Sequence, residues 1–387
     1  MPLPIGLATS MLLGVILAAG CRTEGSGVPG APSAPGADGP QRIAITITDD
    51  GCHPAHVDAR TGPATFVVTN KGSTLVSEME VLAGDRILGE VENLVDGMSG
   101  GFTLNLEAGT YALYCPGGRR DVKGTLTVAG PSPVVAAGAE DPDLAAAVTT
   151  YRDYVTRQTA LLVTACEALR DAVAAGDVDS ARQRYVEARP FYERVEPVAE
   201  SFGDLDPAID ARADDAPIEQ LTGFHRLEFG LWEQGTTDGL KPTADKLVVD
   251  VTRLRDEIPT LPLDALTMVN GANELLGEIV ASKVTGEEER YSHIDLVDFE
   301  ANVEGSRTAF NAVRAALARR DPTLAETVDA RYADAAAALE GHRRAGAFVL
   351  FGELSTDDTR ALGRAIDALG EPLSLVAAAL TRPPQHD

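Results

Sequence analysis

With 387 residues, 33 Lys plus Arg and 59 Asp plus Glu, the chain carries a formal net charge of −26. A nucleic-acid partner needs a basic footprint, so this balance excludes one and favours a cationic ligand, beyond the solubility that a single-sign surface brings. The 44% hydrophobic content suits packed cores, and the length suits two or three domains of roughly 100–200 residues each.

The first element is an apolar run at residues 12–20, far short of the ~20 residues of a spanning helix. It ends in Leu17-Ala18-Ala19-Gly20-Cys21. Small residues ahead of a cysteine are similar to a bacterial lipobox, cleaved before a lipid-modified Cys21. Residues 1–20 therefore read as a lipoprotein signal peptide, although they contain no Lys or Arg for a basic leader. Residues 21–41 are built of Gly, Pro, Ser and Ala, which cannot bury enough apolar area to offset chain entropy, and read as a disordered tether. The expected location is the outer face of the cytoplasmic membrane, periplasmic or extracellular, with the lipid as anchor.

Residues 42–129 alternate in short runs, as in Ile43-Ala44-Ile45-Thr46-Ile47-Thr48, Thr65-Phe66-Val67-Val68, Phe102-Thr103-Leu104-Asn105-Leu106 and Thr125-Leu126-Thr127-Val128. With turns at Asn70-Lys71-Gly72, Ala83-Gly84-Asp85 and Ala108-Gly109, they predict an all-β sandwich of about seven strands. Glu78 and Glu80 alternate with Ser77, Met79 and Val81, so both carboxylates project from one strand face, opposite the apolar one. Cys115 is followed by Pro116-Gly117-Gly118-Arg119-Arg120, without the His and Met of a blue-copper centre. Once Cys21 is lipidated, Cys52, Cys115 and Cys166 remain, and in an oxidising compartment an odd count predicts one pair and one leftover thiol. Residues 130–142, rich in Ala, Gly and Pro, read as a linker.

From 143 to 387 the period becomes helical. Leu144, Val148, Tyr151, Val155, Leu162, Cys166, Leu169 and Val173 fall on one face, which makes Cys166 a core thiol. Breaks at Gly176-Asp177, 202–216, 235–242, 259–262, Gly286 and Asp321-Pro322 divide the region into about seven or eight helices. Asp321 before Pro322 and Ser355 before Asp358 look like helix starts. Trp232 reads as a core anchor, and His342 and His386 as solvated.

The sharpest chemical signal is Gly223-Phe224-His225-Arg226-Leu227-Glu228, where His225 and Glu228 are three apart and share a helix face. Upstream, Arg189, Tyr192 and Glu196 fall at i, i+3 and i+7 with Glu193 beside them, on a segment bent by Pro190 and Pro197. Downstream, Glu287-Glu288-Glu289-Arg290-Tyr291-Ser292-His293 leads into a helix bearing Asp295, Asp298 and Asn302. Acid-rich segments that converge in a bundle core, one with an imidazole, suit a hard or borderline metal ion.

These blocks together resemble imelysin-like proteins. More closely, Tyr192-Glu193-Arg194-Val195-Glu196-Pro197, Phe202-Gly203-Asp204-Leu205-Asp206 and Asp298-Phe299-Glu300-Ala301-Asn302 are similar to the EfeO-like iron-uptake lipoproteins, over nearly the whole chain after Gln41. That resemblance implies an N-terminal all-β cupredoxin-like sandwich followed by an all-α imelysin-like double helix bundle. It implies iron, Fe2+ or Fe3+, as cargo, delivered to a membrane iron permease, with a dye-decolorising haem peroxidase as third component. It implies metal ligation by His225, Glu228 and Glu196, with Asp298 as a further candidate; the spacing itself adds Glu193, beside Glu196, and makes Arg189 and Tyr192 the residues expected to orient Glu196. Zinc would serve as a surrogate ion.

EfeO-like sandwiches also share the Glu78-x-Glu80 pair, the two cysteines and Glu90-Val91-Glu92-Asn93, with departures here at Val91 and Asp96. For the sandwich this implies a second metal site at Cys52, Glu78, Glu80 and Cys115, with copper as a candidate occupant and His53 and His56 nearby. A structural Cys52–Cys115 disulfide is the competing reading. The alternative functions are a zinc-dependent imelysin-like metallopeptidase, although the chain lacks H-E-x-x-H, and an adhesion module. Lipid anchoring makes a direct prediction: Cys21→Ser moves the protein from the membrane fraction to the soluble one, and a variant that stays with the membrane refutes the lipobox.

Overall fold

The computed structural model describes residues 40–84, 86–120, 122–130, 141–213, 216–281 and 283–384. The expected signal peptide, Cys21, nearly all of the tether, most of the linker and His386 lie outside the described residues.

Alternation of apolar and polar residues gives β1 (Gln41–Thr48), β2 (Gly51–His53), β3 (His56–Arg60), β4 (Gly62–Asn70), β5 (Met79–Ala83), β6 (Arg86–Val91), β7 (Ser99–Leu106), β8 (Gly109–Tyr114) and β9 (Gly124–Ala129). These nine strands exceed the seven expected because the stretch around Pro54 supplies two short ones, β2 and β3. One sheet has the order β2-β1-β4-β7 and the other β3-β9-β8-β5-β6, with parallel pairing only at β1–β4 and β3–β9. Between them lie Ile43, Ile45 and Ile47, every second residue of β1, against Phe66, Val81, Leu113 and Leu126. Phe66 and Phe102 stack with ring centres 5.0 Å apart. Cys52 on β2 and Cys115 just past β8 are joined by a disulfide, Cα–Cα 5.5 Å, which ties one sheet to the other.

The helical part comprises α1 (Pro142–Ala174), α2 (Val178–Glu193), α3 (Leu205–Asp210), α4 (Gly223–Glu228), α5 (Lys241–Glu257), α6 (Ala265–Ala281), α7 (Asp295–Ala318), α8 (Pro322–Glu340), α9 (Thr356–Leu373) and α10 (Val376–Leu380). Many bounds of the seven long helices fall at the expected turn residues, but α2 stops at Glu193, short of the break expected from 202, and α7 starts at Asp295, past the break expected at Gly286. Asp321 caps α8 by accepting from Leu324 N, and Ser355 with Asp358 forms a full capping box on α9. α1 packs on α2 and α5, α6 to α9 form a second group, and α7 touches both, so one continuous core runs through the two. Cys166 sits in that core as a free thiol.

β6 and β7 of the sandwich lie against α6. Asn270 Nδ2 donates to Thr103 O at 2.8 Å, and the Glu90 amide donates to Glu274 Oε1 at 3.3 Å. α6 also braces the short 3-10 turn Glu196–Phe202, because Gly271 lets it approach the chain closely: a Cβ there would lie 1.9 Å from the Pro197 carbonyl oxygen. Gly271→Ala should therefore cost about 1–3 kcal/mol by overpacking. Urea denaturation of the full chain measures it, and an unchanged midpoint would show that the contact relaxes freely.

Candidate metal centre

α2 ends at Glu193 because Pro197 has no N–H to continue the hydrogen-bond ladder and disfavours helical geometry at the residue before it. The Glu193 carbonyl, left without that partner, accepts instead from Asn302 Nδ2 on α7 at 3.2 Å. Glu196 consequently starts the 3-10 turn and does not share a helix face with Arg189 and Tyr192, contrary to the i, i+3, i+7 spacing.

Arg189 is fully buried and pairs with five carboxylates: Glu193, Asp210, Glu288 at 3.0 Å, Glu289 at 2.9 Å and Asp298 at 3.2 Å. Its guanidinium also stands 5.1 Å from the Phe224 ring centre. None of those partners is Glu196, so Arg189 does not orient that residue as expected. Tyr192 does not either: its hydroxyl donates to Asp206 Oδ1 on α3.

His225 and Glu228 share a face of α4, as predicted, but they divide the work unevenly. Glu228 Oε1 accepts from the amides of Tyr291 and Ser292 at 2.8 and 2.7 Å, and Oε2 lies 3.2 Å from His225 Nδ1. Both oxygens are thus engaged, and Glu228 holds the imidazole in place rather than standing free to ligate. His225 Nε2 is buried, makes no hydrogen bond among the described residues, and lies 3.5 Å from Asp210 Oδ1. The approach of α4 to α3 depends on Gly223, at φ 72°, where a Cβ would fall 2.0 Å from the Ile209 carbonyl oxygen. Thr222 Oγ1, donating to Ala208 O at 2.7 Å, stitches the same crossing.

Asp210, His225 and Glu288 each offer a ligand atom within 4.8 Å of the others, and Glu193, Glu288 and Asp298 do likewise. The second trio surrounds the Arg189 guanidinium, which already supplies its positive charge. The first trio includes the buried Nε2 of His225, and two of its members, Asp210 and Glu288, line a cleft of about 470 Å³. Asp210 and Glu288 are the residues that sequence reasoning missed. Burial disfavours the imidazolium, yet the Asp210 and Glu228 carboxylates outweigh it and raise His225 to about 9. Without a metal ion the ring is protonated at neutral pH, so a cation arriving at Nε2 replaces a proton.

Glu196 lines the cleft but is held by Lys283, 2.6 Å from its Oε1, and by Asn302 on its other oxygen. It is not brought together with His225 and Glu228. The cleft is closed on its other side by Glu90, Glu92 and Asn93 of the sandwich, facing Glu274 and Glu278 of α6.

Within the sandwich, Glu78 and Glu80 do share a face and hydrogen-bond to each other. Burial, then the Glu78 neighbour, pushes Glu80 up to about 8. Cys52 and Cys115 do not join them as ligands: both sulfurs are consumed in the disulfide, so no thiolate is left for copper or iron in this form. His53 and His56 are exposed on β2 and β3.

The profile of the imelysin family (peptidase M75) matches residues 147–376, and that of the cupredoxin-like domain matches residues 11–128. Relatives named iron uptake system component EfeO, from Escherichia coli O157:H7, Escherichia coli K12 and Shigella flexneri, are each 39% identical over 349 residues, covering 89% of this chain and 92% of theirs. A purple cupredoxin from Nitrosopumilus maritimus aligns with 22% of this chain and 99% of its own at 19% identity and a TM-score of 0.19, which is too low to bear on the fold. The chain belongs to the EfeO family, with a cupredoxin-like sandwich ahead of an imelysin-type helical domain.

The charge pattern has a pH signature. Burial raises Glu80 to about 8, Glu92 to about 7, Glu274 to about 8 and Asp295 to about 7, so the folded chain keeps protons that the unfolded chain releases near 4.5 or below. Their stabilisation is full at low pH and is lost as pH rises through those values; raised His225 acts in the same direction. Glu288, where Lys283 and Arg212 overcome burial and lower the carboxyl to about 2, works oppositely, below the usual carboxylate range. The metal-free protein should melt highest near about pH 5 and at lower temperature toward pH 8. Glu274→Gln should flatten the decline. Thermal unfolding with chelator present tests this, and a melting temperature that climbs from pH 5 to 8 contradicts it.

Proposed function

We propose that this chain is the iron-binding component of a bacterial iron-uptake system, with iron as transported cargo. The observation that carries the reading is the buried His225 Nε2 facing Asp210 and Glu288 at the wall of an acidic cleft, in a chain 39% identical to proteins named as iron uptake components. One imidazole with two carboxylates is a donor set for a hard or borderline ion such as Fe2+ or Fe3+, and accepts zinc as a surrogate. Glu228 fixes the ring through Nδ1, and Arg189 keeps Asp210 and Glu288 converged. A bare or hydrated cation enters through the cleft, where the carboxylates of both domains attract it and take over its water ligands one at a time.

The hydrolase reading is disfavoured by Glu228. A general base must have an oxygen free to take a proton from water, and here both are committed to two amides and an imidazole. The finer role belongs to the same proposal: lipid attachment at Cys21 on the outer face of the membrane, and transfer of the ion to a membrane permease alongside a dye-decolorising haem peroxidase. Tethering keeps a soluble-domain carrier within reach of its acceptor.

Calorimetric titration of the full chain with ferrous ion under anoxia tests the site. His225→Ala and Asp210→Asn should abolish binding or weaken it more than Glu228→Gln, which removes an orienting group and should cost ~10–100-fold. Affinity unchanged in both His225→Ala and Asp210→Asn would move the site away from α3 and α4.

A further inference from the structure

Lys283 is fully buried, which is rare for lysine and demands ionic partners. It opens a 3-10 turn, Lys283–Thr285, between α6 and α7, and its ammonium reaches four carboxylates. Nζ lies 2.6 Å from Glu196 Oε1, 3.4 Å from Glu288 Oε1, 3.7 Å from Glu193 Oε2 and 3.9 Å from Glu278 Oε2.

Two features mark this ammonium as exchangeable, and the first sets it apart from Arg189, the other buried cation of the site, which shares the second. Arg189 is locked by five carboxylates and by the Phe224 ring, and does not line the cleft. Lys283 does line the cleft, so an exit lies beside it, and its charge is a single point on a flexible four-carbon stem. The second feature is a shared carboxylate. Glu288 is at once a partner of Lys283 and a member of the Asp210–His225–Glu288 trio. A metal ion held by that trio would stand beside an ammonium on the same carboxylate, and it would withdraw from Lys283 the negative charge that keeps the lysine buried.

We propose that Lys283 is the resident counter-cation of the site and that the metal ion displaces it, so that loading is an exchange of one cation for another. This rests on the metal-binding reading given above. Displacement frees Glu196 from its ammonium and turns it into a further oxygen donor from the cleft wall, the part its sequence motif suggested and its present pairing prevents. Return of the ammonium supplies a way to expel the ion, so the carboxylate set holds its cargo less tightly than it would without the lysine. A carrier that must hand over its ion needs such a device.

The test combines labelling with titration on the full chain. Wild-type protein is treated with acetic anhydride with and without saturating ferrous ion under anoxia, and acetylation is read by mass spectrometry, with exposed Lys71 as internal control. Lys283 should be unreactive in the metal-free protein and become acetylated when metal is bound, while Lys283→Met should bind ferrous ion at least ~10-fold more tightly than wild type, within the range that groups next to metal ligands command. If wild type binds the ion but Lys283 stays unlabelled and the Met variant binds no tighter, the exchange is refuted and the metal site stands. If wild type binds no ferrous ion, the underlying reading fails and the exchange with it. Labelling needs no variant, so a Met variant that misfolds leaves the decision with the wild-type measurement.

Discussion

Burial of the Arg189 guanidinium organises this molecule. An ion of that kind enters an apolar interior only with its charge matched and its donors satisfied, and removal of one partner from such an arrangement typically costs about 3–5 kcal/mol. Here the partners come from four places: Glu193 on α2 itself, Asp210 at the end of α3, Glu288 and Glu289 in the α6–α7 connection, and Asp298 on α7. Each carboxylate would repel the others without the arginine. With it, segments far apart in sequence are drawn to one point, and the trio facing His225 is assembled as part of the same construction.

Much of the framework is legible locally. A cap such as Asp321 or Ser355 acts on amides within three residues, and the alternation in β1 expresses which side of a strand meets the core, so both can be read without knowing the tertiary structure. His225 and Glu228 are likewise local, three apart on one turn. Asp210 is not. It falls in the stretch 202–216, which reads as a break, and its position beside His225 arises only because Gly223 admits the Ile209 carbonyl. Glu288 lies within three consecutive acids, and no period shows which of them turns inward: the Glu287 side chain is 44% exposed and that of Glu288 1%. Glu196 is the converse case, where helical spacing extended α2 past the residue at which Pro197 ends it.

The sandwich contributes more than a covalent neighbour would. Its Glu90 and Glu92 form the wall opposite α6, so the cleft exists only when the two domains are docked. Several of its carboxylates are held partly protonated by burial, which lowers the repulsion across the seam. The disulfide between Cys52 and Cys115 acts differently, by tying one sheet of the sandwich to the other. What looked from the motif like a second set of ligands is therefore divided between a covalent clamp and a proton-sharing pair of glutamates.

The connection from Lys283 to Ser292 holds an unusual concentration of duties. It supplies the ammonium of Lys283, the carboxylates of Glu288 and Glu289, and the two amides that position Glu228 and through it the imidazole. Its backbone and its side chains thus address the same few ångströms from different directions, and its length is set by both at once. A segment under that double constraint behaves as a single rigid template with no slack for insertion or deletion.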